Sequence, residues 1–230
     1  MQDLVLIPGL LCTAELYAPQ LRALRDVARM HVADHTRGAS IKDIATSILA
    51  AAPRKFALCG LSMGGYLAFE IMRRAPERVT KLALLDTAAK ADTPDRSAGR
   101  FALIARAEHE GLGAVAKTLW PGWIHPGRIA DAALLATVAN MAAHTGVTHF
   151  ARQQTAIANR ADSTHGLAAI GVPTLVLVGR QDQATTVADA DVIASGIKGS
   201  TLTVIENCAH LSTLEQPDAV NRALSTWLTT

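Results

Sequence analysis

The sequence predicts an α/β fold: a mostly parallel sheet with helices on both faces. Three observations predict it. Short runs rich in leucine and β-branched residues recur along the 230 residues, and between them the apolar spacing changes to the helical period. These runs are near-continuously apolar rather than alternating, as strands buried on both faces are. Half of the residues are apolar and only 18% are charged, a composition that fills a core and excludes disordered, collagen-like and disulfide-scaffold chains.

The elements follow in order. Leu4-Val5-Leu6-Ile7 is a buried strand ended by Pro8-Gly9, and 27–33 is a weaker second strand. Ser40, with Asp43 three residues on, resembles a capping box; Ile41, Ile44, Ala45, Ile48, Leu49 and Ala52 then form one helical stripe up to Pro53. Phe56-Ala57-Leu58-Cys59 is a strand stopped by Gly60, and 63–75 a helix closed by Pro76. Strands follow at 81–85, 174–178 and 201–205. Pro217 suits a first helical turn, after which Val220, Ala223, Leu224, Trp227 and Leu228 make an apolar face. Almost ninety residues between the strands at 81–85 and 174–178 lack a good strand but carry helical patterns around 98–107 and 130–143. A structureless loop of that length does not fit a compact domain. The expected organisation is a core of 1–87 and 166–230, with 88–165 as a helical insertion over the sheet.

Charge and cysteine content narrow the partners. Twenty-two Lys and Arg against twenty Asp and Glu leave +2, so neither nucleic acid nor a membrane surface is expected. Three cysteines make neither a disulfide framework nor a CxxC metal pair. Met1-Gln2-Asp3 lacks a basic leader, Pro8-Gly9 breaks the first apolar run, and no run reaches the ~18 apolar residues of a membrane span. The expectation is a cytoplasmic monomer or homodimer acting on a small molecule.

The sharpest local signal is Gly60-Leu61-Ser62-Met63-Gly64, followed by Gly65. It follows an apolar strand and opens a helix, the placement that gives G-x-S-x-G its chemistry. The serine sits in a tight turn, its hydroxyl above the strand ends near the positive end of the helix. Neither G-x-G-x-x-G nor a P-loop occurs, which weakens a nucleotide reading. A serine hydroxyl needs an adjacent base. His109, His125, His144, His149 and His165 lie in the insertion, and His31 and His35 flank the second strand. His210 follows the last strand and so reaches the same carboxyl edge as Ser62, where parallel-sheet sites form. For the acid that orients the base, Asp182 follows the 174–178 strand at that edge, with Asp86 as its rival. The order Ser, Asp, His is that of one serine-triad fold and differs from two others.

Leu6-Ile7-Pro8-Gly9-Leu10, the Ser62 pentapeptide, Gly179-Arg180-Gln181-Asp182 and the His210 segment together resemble an α/β-hydrolase of the small serine esterase group, over nearly the whole chain. The resemblance implies an oxyanion hole made by the backbone N–H groups of Leu10 and Met63. It also marks departures. Pro8 stands where members carry His, Thr186 where members often carry Pro, and two early strands are missing, so a sheet of about six strands is expected.

The implied reaction is hydrolysis of a small or medium carboxylic ester through an acyl-enzyme, with no metal or cofactor. Carbon–carbon (diketone) hydrolysis and acyl transfer to another acceptor use the same triad; a non-catalytic receptor-like module and a scaffold pairing through a bare sheet edge are alternatives of other classes. In the insertion, Trp120-Pro121-Gly122-Trp123 reads as an aromatic wall on a bend, with Trp120 and Trp123 as substrate contacts and Phe101 and Phe150 as lesser ones. An apolar lining would favour uncharged esters. Cys12, Cys59 and Cys208 adjoin the functional segments; they read as small buried hydrophobes, yet close enough for thiol modification to obstruct the site.

Overall fold

The structure is a computed structural model that describes residues 1–230. Six strands, β1 (Gln2–Ile7), β2 (Ala28–Val32), β3 (Phe56–Leu61), β4 (Val79–Leu85), β5 (Thr174–Gly179) and β6 (Thr201–Ile205), form one sheet in the order β2-β1-β3-β4-β5-β6. Every neighbouring pair is parallel. All residues of β3 and β5 are buried, whereas the edge strands β2 and β6 keep most of theirs partly exposed. Successive residues of a strand point to opposite faces, so both faces of the sheet's centre are covered.

The helices of the core are α1 (Ala18–Ala23), α2 (Ile41–Ala51) and α3 (Met63–Arg74). Ser40 caps α2: its hydroxyl accepts the Asp43 N–H at 3.1 Å and donates to the Asp43 carboxylate at 2.7 Å. Between β4 and β5 lie α4 (Pro94–Glu110), α5 (Leu112–Trp123) and α6 (Ala132–Ala158), packed on one another as a cap. After β5 come α7 (Val187–Gly196), α8 (Ser212–Glu215) and α9 (Pro217–Thr229). One apolar core runs from the sheet into the cap through Val115, Trp120, Met141 and Phe150. No helix is long and apolar enough to cross a membrane.

Three local expectations are corrected. First, β3 runs through Gly60 to Leu61, because Gly60 belongs to the sheet and lets α3 return against it: a Cβ there would lie 2.2 Å from the Gly64 carbonyl oxygen. Second, Trp120-Pro121-Gly122-Trp123 is the last turn of α5, not a bend. Pro121 removes one ladder bond, but burial of Val115, Trp120 and Trp123 keeps the segment helical. Third, α6 continues past 143 and turns at Gly146 (φ 73°, ψ 161°), a conformation open to glycine. Its second half carries Phe150, Gln153 and Gln154 inward.

The strand order positions the site. β2 lies to one side of β1 and β3 to the other, so the loops leaving β1 and β3 diverge and open a crevice at the carboxyl edge. Four non-glycine residues have positive φ: Leu11, Ser62, Asp86 and Asn207. They follow β1, β3, β4 and β6, all on that rim. Such conformations cost about 1–3 kcal/mol each and persist only where the surroundings impose them.

The contact of α3 with β1 is tight enough to test. A Cβ on Gly64 would lie 2.1 Å from the Ile7 carbonyl oxygen, a backbone atom that cannot swing aside. Gly64→Ala is expected to lower unfolding free energy in urea by about 2 kcal/mol or more. Gly113→Ala in α5, where a Cβ meets nothing within 4 Å, should hold or raise it by up to about 1 kcal/mol.

Candidate active site

Ser62 follows β3 and precedes the first residue of α3 with φ 55° and ψ −114°. Its N–H donates to the Leu85 carbonyl at 2.9 Å, and its carbonyl accepts from the Thr87 hydroxyl at 2.8 Å. Pinned at both backbone ends, the residue projects its hydroxyl over the rim, where Oγ lies 2.9 Å from His210 Nε2. His210 Nδ1 lies 2.7 Å from Asp182 Oδ2. Because a carboxylate only accepts, Nδ1 carries the proton and Nε2 offers its lone pair to the serine O–H. Asp182 is held in turn: Oδ1 accepts from the amides of Ala184 (2.8 Å) and Thr185 (3.0 Å), and Oδ2 from the Thr185 hydroxyl (2.9 Å). Thr186 caps α7 reciprocally with Asp189, so the residue in place of proline leaves the Asp182 turn undisturbed.

Burial works against a charged His210, but the Asp182 charge and hydrogen bond, with Asp86 and Glu215 behind them, outweigh it and hold the imidazole above the ordinary histidine value. The structure thus gives the ring to Asp182 rather than to Asp86. Asp86 is fully buried and accepts from the Gly179 N–H at 2.9 Å and from the Ser212 hydroxyl, tying β4 and β5 to α8. Burial, then the Asp182 charge, push its carboxyl well above the usual range.

The Gly9-Leu10-Leu11 loop crosses beside the serine, with a Cβ position on Gly9 only 3.4 Å from Ser62 Cβ. The N–H groups of Leu10 and Met63 have no acceptor among the loop and turn hydrogen bonds, and Met63, as the first residue of α3, has none within its helix. Two buried residues bracket Leu10. His35 Nε2 lies 3.0 Å from the Gly9 carbonyl, and Gln153 Oε1 of the cap accepts the Leu11 N–H at 3.2 Å. Tyr17 donates to the Ile7 carbonyl at 3.0 Å. With Pro8 unable to contribute a polar side chain, support for this loop comes from β1's neighbours and from the cap. Neither His35 nor Gln153 stood out in the sequence as a support for it.

Ser62, His210 and Leu10 open onto a cavity of about 170 Å³. Leu103, Leu119, Trp123 and Ile157 give it apolar surface, but Arg96, Arg100 and Gln154 also line it. The lining is therefore mixed rather than apolar as expected: Arg96 and Arg100 stand one turn apart on α4 and share a face. Trp123 lines the cavity, its ring 6.2 Å from that of His210, and its carbonyl accepts the His210 N–H at 3.1 Å. Trp120 is buried inside the cap and does not line it; Phe150 is buried and Phe101 exposed, both away from it. The cysteines are free, buried and absent from the lining. Burial pushes the Cys12 and Cys59 thiols up to about 12. Unexposed and protonated, they offer no route to the obstruction expected from thiol reagents.

Comparison with known proteins agrees with this fold. A model of the alpha/beta hydrolase family matches residues 4–223. The 3-oxoadipate enol-lactonase 2 of Acinetobacter baylyi is 34% identical over 167 residues, 72% of this chain but 61% of that enzyme, so the match spans under two thirds of the relative's length. A malate-bound thermophilic esterase from Thermogutta terrifontis has a TM-score of 0.91 at 28% identity, covering 100% of this chain and 90% of its own. An enol-lactonase from Burkholderia xenovorans has a TM-score of 0.91 at 26% identity, covering 100% and 92%.

The electrostatics of the imidazole are testable without any substrate. In an NMR titration His210 is expected to lose its proton at a pH above the ordinary 6.5. Asp182→Asn should move that midpoint downward, because the largest opposing influence to burial is then gone. A midpoint unmoved by Asp182→Asn would show that the pair is not coupled.

Proposed function

Because the chain belongs to the alpha/beta hydrolase family, we propose that it is a serine hydrolase that cleaves a small carboxylic ester, open or cyclic, through an acyl-enzyme. The observation that carries this reading is the continuous chain of contacts from Ser62 Oγ to His210 (2.9 Å) to Asp182 (2.7 Å). The esterase and lactonase relatives support the ester bond as the target, a lactone being an internal ester.

His210 Nε2 takes the hydroxyl proton as Ser62 Oγ bonds to the carbonyl carbon. The carbonyl oxygen, now negative, receives the Leu10 and Met63 N–H groups, a pair whose single loss typically costs about 3 kcal/mol of transition-state stabilisation. The carbon–oxygen bond then breaks, and the imidazolium returns its proton to the departing alkoxide, which in a lactone remains tethered to the acyl group. Water deprotonated by His210 attacks the acyl-enzyme and regenerates the serine. Asp182 holds the tautomer throughout, and no step calls on a metal or cofactor. We place the protein in the cytoplasm, a reading supported by three cysteines that are all free.

A fluorophosphonate is expected to label wild-type protein on Ser62 and to leave Ser62→Ala unlabelled. Ser62→Ala and His210→Ala should each lower short-chain ester turnover on the order of 10⁴-fold or more while thermal unfolding stays cooperative. The base must be neutral to act, and its pKa lies above 6.5; kcat/KM should therefore rise with pH along a limb centred above that value. Full activity in the folded Ser62→Ala protein would refute the proposal.

A further inference from the structure

The uncommitted polar groups around the cavity are nearly all donors. Gln154 is 1% exposed, and its Oε1 accepts from Arg100 at 2.9 Å, which fixes the amide plane. The amide nitrogen is left buried with no partner. A buried unpaired donor costs about 1–3 kcal/mol and is rare in native structures. Arg96 donates to the Ala184 carbonyl at 2.9 Å and pairs with no carboxylate. Arg100 has a partner in Asp92, but Asp92 is shared: Arg160 also binds it, at 2.7 Å. Arg160 is committed elsewhere, to the Lys90 and Ile157 carbonyls and over the Tyr66 ring at 4.1 Å. Two guanidinium groups thus share one carboxylate, and Arg96 has none.

The excess positive charge faces the ligand space. An outer hollow of about 480 Å³ is bounded by Arg96, Arg100 and Arg106 and shares Arg96, Arg100 and Leu103 with the inner cavity. Glu110 neutralises Arg106 at 3.1 Å, so the two arginines common to both spaces carry the residual charge. The inner cavity of about 170 Å³ is close to the ~150 Å³ that accommodates one benzene-sized ring. Donors at one side and the Ser62 hydroxyl at another leave room for a compact molecule only.

We infer that Arg96, Arg100 and Gln154 form a carboxylate-binding subsite, so that the substrate is a compact ester or lactone bearing a carboxylate away from the scissile bond. This rests on the hydrolase reading of the same site. A carboxylate answers each feature: it accepts from the Gln154 amide, matches a guanidinium fork, and balances the charge that Asp92 leaves over. Asp92, fully buried at its side chain, orients Arg100 without neutralising the group.

The test compares monomethyl glutarate with methyl pentanoate, equal in length and differing at the far end in a carboxylate or a methyl group. Acid release at low ionic strength is expected to give a kcat/KM at least about tenfold higher for the anionic ester, an advantage that shrinks as salt is added. Arg96→Gln, and separately the isosteric Gln154→Glu, should each cut the anionic-to-neutral ratio by about tenfold or more. Equal turnover of the two esters, or a ratio unchanged in both variants, would overturn the subsite and leave the hydrolase reading intact. Calorimetry on Ser62→Ala separates the two failures. If wild-type protein hydrolyses neither ester, yet Ser62→Ala binds monomethyl glutarate and the added Arg96→Gln abolishes that binding, the subsite stands and the hydrolase reading falls. Absence of both turnover and binding of the anionic ester refutes the subsite.

Discussion

Helix α3 sits closer to the sheet than any side chain at Gly60 or Gly64 would permit, and the rest of the rim depends on that contact. A Cβ at either position would come within 2.2 Å of a backbone carbonyl oxygen. The close approach forces the chain to reverse at one residue, which places Ser62 in a left-handed conformation and aims its hydroxyl away from both elements. It also brings the N-terminus of α3 beside the β1 strand, where a Cβ on Gly64 would lie 2.1 Å from the Ile7 carbonyl oxygen, and Leu10 of the following loop lines one cavity with Ser62. A looser contact would relax the turn and lose the convergence on which the proposed nucleophile and oxyanion donors both rely.

The imidazole is placed by a different means. His210 lies on a loop, and loops owe their precision to what holds them. Here the cap and α8 do so together. The Trp123 carbonyl takes the His210 N–H, while the buried Glu215 accepts the Ala209 N–H at 3.0 Å and the His125 N–H at 2.7 Å, one carboxylate joining the histidine loop to the cap. Gln153 reaches from α6 to the oxyanion loop. The cap therefore supports the His210 loop and the β1 loop as well as walling the cavity. A change in its packing would be felt in catalytic geometry as well as in substrate choice.

The contrast between these devices explains what the sequence disclosed. The strands, Ser62 and His210 were legible because sheet topology alone assigns them: a residue just after a parallel strand lies at the carboxyl edge whatever its neighbours are. Asp182 and Asp86 both met that rule, and only side-chain geometry separated the carboxylate that meets the imidazole from the one that ties Gly179 and Ser212. The cap obeyed no comparable rule. Gly113, Pro121 and Gly122 disguised α5, and beyond Gly146 the residues turned inward include Gln153 and Gln154, which break the apolar stripe that marks a helix. Arg96 and Arg100 could be read as sharing a face from their spacing, but no local pattern says which face meets the cavity.

A division of labour follows from where each kind of polar group is borne. The proposed chemistry is carried by the core: nucleophile, base, acid and oxyanion amides all follow strands whose positions the sheet fixes. The donors left over, Arg96, Arg100 and Gln154, are carried by α4 and α6. Their charge balance is settled within the cap and its borders by Asp92, which pairs Arg100 with Arg160 rather than with any group of the triad. Because the two sets of groups share a cavity but no hydrogen bond, the cap's charge can be altered without rewiring the Ser62–His210–Asp182 contacts. The coupling that does exist runs through backbone carbonyls and amides, at Trp123, His125 and Leu11, and at Ala184, whose carbonyl takes Arg96 and whose N–H holds Asp182. Two of these links rest on a particular side-chain acceptor, Gln153 or Glu215; the one at Trp123 joins backbone to backbone. The proposed subsite can thus change at Arg100 and Gln154 without touching the triad, whereas Arg96 also reaches the Asp182 turn through the Ala184 carbonyl.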